Sequence, residues 1–82
     1  MVKLYALSTC PWCKKTKRLL AENNISYDLV EVDLLSDAEH DIAMKEVVEL
    51  TGARSFPVLL VGEKVIAGYN PDAIFEALEN EK

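Results

Sequence analysis

The stretch Cys10-Pro11-Trp12-Cys13 constrains this chain more than any other, and it holds both of its cysteines. It follows an apolar run, Val2 to Leu7, and precedes a segment with helical periodicity. A Cys-x-x-Cys pair at a strand-to-helix junction, early in a βαβ pattern, reads as a redox dithiol. A helix that begins here points its free N–H groups at the Cys10 sulfur, and the positive end of its dipole favours thiolate over thiol. Cys13 is three residues on, so it lies on the same helical face one turn further in. From there it can attack a mixed disulfide formed on Cys10. Pro11 falls at or next to the first helical position, where a missing N–H costs nothing. Cys10 is thus expected to be the exposed nucleophile and Cys13 its shielded partner.

Two other uses of the pair are weak. A structural disulfide across so short a loop removes little chain entropy from the unfolded state. Zinc takes four ligands, and the one further soft ligand is His40, on a predicted surface helix. A cluster shared between two chains, metal or iron–sulfur, stays open as a binding-module alternative.

With 82 residues, half of them apolar, the chain suits one small domain, 1–82, with a modest core. No run is long enough to cross a membrane. Met1-Val2-Lys3-Leu4 begins as strand-like sequence without a signal-peptide pattern. The expected compartment is therefore the cytoplasm, where a cysteine pair is more often catalytic than structural. The net charge of −5 does not suggest a nucleic-acid partner. The charge is uneven, since Lys14, Lys15, Lys17 and Arg18 supply four of the nine basic residues just after the dithiol. They make either a plain solvated face or a positive rim that steers acidic partners.

The remaining elements follow from pattern. Val2 to Leu7 reads as a buried strand, and Pro11 to Glu22 as a helix with Cys13, Thr16, Leu19 and Leu20 inward. Asn23-Asn24 ends that helix. Ile25 to Asp33 contains a second strand, with Tyr27, Leu29, Val30 and Val32 as its apolar content. Ser36 followed by Glu39 is a capping-box pattern. It opens a helix that ends near Leu50, with Gly52 as its stop. Ile42, Ala43, Val47 and Leu50 are its expected buried stripe, with Glu39, Glu46 and Glu49 opposite. Val58 to Val61, the turn Gly62-Glu63 and Val65 to Ala67 form a hairpin signal. Asn70 suits the N-cap of a last helix and Pro71 its first position, with Ile74, Phe75 and Leu78 inward. The order is β-α-β-α-β-β-α, an α/β class in which three helices flank a four-stranded mixed sheet.

Cys10-Pro11-Trp12-Cys13, Ser55-Phe56-Pro57 and Gly68-Tyr69-Asn70-Pro71-Asp72, at this spacing, resemble a small glutaredoxin with the thioredoxin fold, over the whole chain. The resemblance implies a dithiol–disulfide oxidoreductase that works as a monomer on disulfide-containing proteins and requires no prosthetic group or metal. It also implies a cis Phe56–Pro57 bond, which brings Phe56 backbone groups beside Cys10 to pair with an extended substrate. Pro11 and Trp12 then shape the thiolate surroundings. Phe56, Pro57, Gly68, Tyr69 and Asn70 are the candidate substrate-binding residues, with Trp12 and Tyr69 as an apolar rim.

Two branches of the family compete. Glu49 to Arg54 before Ser55-Phe56-Pro57, and an aromatic residue before the second cysteine, resemble the glutathione-using members. The basic residue often found before the motif is replaced by Ser8-Thr9, however, and the Gly-Gly-x-Asp glutathione clamp has become Ala67-Gly68-Tyr69-Asn70. Gly68-Tyr69-Asn70-Pro71-Asp72 instead resembles the glutaredoxin-like hydrogen donors of ribonucleotide reductase, which a reductase enzyme reduces. The expected electron source is accordingly a protein disulfide reductase, with glutathione as the alternative.

Overall fold

The structure, a computed structural model, describes residues 2–80. β1 (Val2–Ala6) leads through a short loop into α1 (Pro11–Glu22). β2 (Asp28–Glu31) follows, then a 3-10 turn at Val32–Leu34 and α2 (Asp37–Thr51). β3 (Val58–Val61), β4 (Lys64–Ala67) and α3 (Pro71–Asn80) complete the chain. The strands lie in the order β2-β1-β3-β4. β1 runs parallel to β2 and antiparallel to β3, and β3 runs antiparallel to β4. The expected thioredoxin-type architecture is present. Among the described residues no helix is long and apolar enough to cross a membrane.

Strand alternation builds two core layers, because successive side chains point to opposite faces. Leu4 opposes Leu59 and Val2 opposes Val61, and these four turn toward Leu19 and Leu20 of α1 and Ile74 and Ala77 of α3. Tyr5 opposes Val58, and this pair faces Ala43 and Val47 of α2. Two helices therefore cover one face and a single helix the other. Phe56 packs against both layers, just ahead of β3.

Several expectations need correction. β1 ends at Ala6, and Leu7 only borders the α2 layer. Val32 is fully buried from the 3-10 turn rather than from β2, and Leu29 is exposed on this edge strand. Only Ala43 and Val47 of the expected α2 stripe are buried, while Ile42 is 61% exposed. Ile42 stands one residue, about 100°, off the inward line, and Leu50 joins neither core layer. Glu46 does not face away but accepts a hydrogen bond from the Tyr5 hydroxyl. In α3 the inward line is Ile74, Ala77 and Leu78, so Phe75 is 41% exposed. The Ser36 hydroxyl meets the Glu39 carboxylate rather than capping a backbone N–H.

Candidate active site

Cys10 is the N-cap of α1, with extended backbone, and Pro11 and Trp12 open the helix. The cap places the Cys13 N–H on the Cys10 sulfur, with N···Sγ 3.3 Å. Both cysteines are free thiols. They differ in access, since Cys10 is partly exposed and Cys13 fully buried. Burial, and after it the contact with the Cys10 sulfur, push the Cys13 thiol up to about 12, against an opposing contribution from the Leu7 backbone.

Trp12 projects outward, 53% exposed, and stacks on Tyr69 with ring centroids 5.9 Å apart. Such offset pairs gain ~0.5–1.5 kcal/mol beyond area burial. Trp12, Phe56, Pro57, Gly68 and Tyr69 line a cleft of about 230 Å³. The Phe56–Pro57 bond is cis. The Pro57 carbonyl accepts from the Gly68 N–H at 2.8 Å, which ties the two cleft loops together. Gly68 has φ +81°, a left-handed conformation that glycine takes without a steric penalty. Tyr69 both packs against the α1–α3 core layer and lines the cleft.

Asn70 is not in the cleft wall. Its side-chain oxygen accepts from the Ala73 N–H at 3.2 Å and caps α3, while Pro71 occupies the first helical position without an N–H. Arg54, the cation closest in sequence to Phe56-Pro57, lines a different hollow beside α2, with His40 and Glu49. Among the described residues no group of three or more His, Cys, Asp or Glu side chains is placed to hold a metal ion.

Two features of the site had not been expected. The Lys15 ammonium lies 4.3 Å from the centre of the Trp12 ring, a cation–π contact that the i, i+3 helical spacing could have suggested. Ser8, two residues before Cys10, is bound by Asp33 from beyond β2. That pairing is tertiary and has no local sequence signal.

Comparison with known proteins agrees with this geometry. The family model described as glutaredoxin matches residues 2–66. An uncharacterized glutaredoxin-like 8.6 kDa protein in the rubredoxin operon of Clostridium pasteurianum is 35% identical, over 96% of this chain and 99% of its own length. The glutaredoxin-like protein NrdH of Salmonella typhimurium is 29% identical, over 89% of this chain and 83% of its own. Among solved structures, Methanosarcina acetivorans methanoredoxin superposes with a TM-score of 0.89 at 42% identity, covering 94% of this chain and 82% of its own.

Proposed function

Because this chain belongs to the glutaredoxin family and is, with that family, a thiol–disulfide oxidoreductase, we propose that it reduces protein disulfides through Cys10 and Cys13, with electrons supplied by a protein reductase. The observation that carries the assignment is the Cys13 N–H held on the Cys10 sulfur while the Cys13 sulfur is buried beneath it. Cys10 attacks the substrate disulfide, forms a mixed disulfide and expels one substrate thiolate. Cys13 then loses its proton and attacks the Cys10 sulfur. The second substrate thiol leaves and a Cys10–Cys13 disulfide remains, so two electrons have passed from the dithiol to the substrate. Part of what holds the Cys13 thiol high is its interaction with the Cys10 sulfur. Once Cys10 is bonded to substrate, its charge is gone, and resolution becomes easier only after capture.

The donor assignment rests on three groups a glutathione clamp would draw on, Arg54, Pro71 and Asn70; Lys15, on the Trp12 ring, supplies one cation beside the cleft. Glutathione presents two carboxylates, which call for cations and free N–H groups at a helix start. Here Arg54 stands in another hollow, Pro71 has no N–H, and the Asn70 oxygen is occupied by Ala73. Losing one charge-assisted contact weakens binding by ~1.5–3 kcal/mol. The likeness of Gly68 to Asp72 to the hydrogen-donor branch makes ribonucleotide reductase the candidate substrate protein, in a reducing cytoplasm. The test follows insulin reduction with dithiothreitol, for wild type beside Cys10→Ser and Cys13→Ser. Wild type should turn over and Cys10→Ser should be inert, while reduced Cys13→Ser, mixed with insulin after dithiothreitol has been removed, should accumulate mixed disulfides through Cys10. An active Cys10→Ser protein would overturn the assignment.

A further inference from the structure

A groove of about 450 Å³ runs between α1 and α3, lined by Lys15, Arg18, Glu22, Tyr69 and Phe75 among others. It shares Tyr69 with the cleft beside the dithiol. Lys15 spans the junction, since it lines the groove and also sits on the Trp12 ring. The two hollows therefore form one continuous surface that starts at Trp12, between the two cysteines. Lys15, Arg18 and Glu22 are spaced i, i+3 and i+7, which puts them on one helical face. Both cations lie on the dithiol side and the single carboxylate closes the far end. Phe75 offers an apolar contact on the opposite wall, at 41% exposure. α1 carries four of the chain's nine basic residues and one of its fourteen acidic ones, so its charge is opposite to that of the molecule as a whole.

We propose that this groove docks an acidic segment of the disulfide substrate, with a large apolar side chain among its acids. The inference rests on the redox function above and specifies its substrate class. Cys10 and Arg18 are eight residues apart, about 12 Å along a helix at ~1.5 Å per residue. An extended peptide covers that in about four residues at ~3.3 Å each. The acidic residues of the substrate therefore stand within about four positions of the cysteine that Cys10 attacks. The carboxylates pair with Lys15 and Arg18, and the apolar side chain lies against Phe75 and Tyr69. The chemistry itself is unchanged: the dithiol loses two electrons and two protons, and the peptide disulfide gains both to become two thiols.

The test uses disulfide-linked homodimers of two peptides, Cys-Gly-Glu-Phe-Glu and its neutral isostere Cys-Gly-Gln-Phe-Gln. The rate at which each oxidises the reduced protein is divided by the rate at which it oxidises dithiothreitol, which removes intrinsic reactivity. At low salt the acidic dimer should react about 10-fold faster than the neutral one, the return from two exposed ion pairs. The preference should shrink at 0.5 M salt. The double variant Lys15→Glu/Arg18→Glu should abolish or invert it, whereas Lys45→Glu, a charge reversal on α2 outside the groove, should retain it. Equal reaction of the two dimers with wild type would overturn the docking proposal and leave the redox function standing. So would an equal loss of preference in Lys45→Glu, which would assign the effect to net charge. Failure of the wild type to reduce either dimer or insulin would overturn both.

Discussion

Ser8 and Asp33 are joined by two hydrogen bonds to one carboxylate: the Ser8 N–H donates to Oδ1 at 2.9 Å and its hydroxyl to Oδ2. They fasten the loop before Cys10 to the turn after β2. The Ser8 hydroxyl, then its N–H, holds the Asp33 carboxyl below the usual aspartate range. A group depressed in the folded state stabilises the fold above its unfolded pKa of ~3.9 and loses that contribution as pH falls through the folded value. Asp33→Asn should therefore lower Tm slightly at pH 6, with the difference from wild type shrinking as the pH falls through the folded value of Asp33. A pH-independent difference in thermal melts would contradict this linkage.

The Tyr5 hydroxyl, donating to Glu46, is the polar link within the α2 core layer. Burial, and then the bond to Glu46, raises the Tyr5 phenol above its ordinary value. For a raised acid the sign is reversed, so stability is intact below the unfolded pKa of ~10 and falls as pH rises through the folded one. Wild type should lose more stability than Tyr5→Phe between pH 10 and 11.5 in chemical denaturation. At neutral pH, Tyr5→Phe should cost ~1 kcal/mol for the lost hydrogen bond.

Asn70 separates a structural role from a ligand-binding one. As the cap of α3 it should cost ~1 kcal/mol when replaced by alanine and little when replaced by aspartate. Aspartate also restores the acidic group of a glutathione clamp. In a coupled glutathione assay, wild type should turn over slowly and Asn70→Asp should gain activity. Robust wild-type turnover, unchanged in Asn70→Asp, would place glutathione as the donor.

The element order, the sheet and the cysteine pair were legible because each leaves a local trace. Alternating apolar strands, Asn70-Pro71 at a helix start and Cys-x-x-Cys after a strand need no distant partner to be recognised. The misjudged positions are those that tertiary contact decides. Ile42 and Phe75 each sit one residue off an inward line, and a one-residue error rotates a helical side chain by about 100°. Glu46 looked like a solvent-facing carboxylate until the fold brought Tyr5 to it, 41 positions away in sequence. Ser36 and Glu39 carry the residue types of a capping box, yet their side chains bond to each other. Arg54 is next to Ser55-Phe56-Pro57 in the chain but lies in a hollow against α2.

The central claim is the division of labour between Cys10 and Cys13, and the relative alkylation of the two in the reduced wild-type protein tests it most directly. Iodoacetamide labelling at pH 7, followed by peptide mass spectrometry over time, gives both rates in one sample. A buried thiol pushed up to about 12 is ionised in only about 1 molecule in 10⁵ at pH 7, and the thiolate is the reacting form. The initial labelling rate of Cys10 should far exceed that of Cys13, which should react fully only once the protein is denatured. Labelling of Cys13 at a rate equal to or above that of Cys10 in the folded protein would contradict the account.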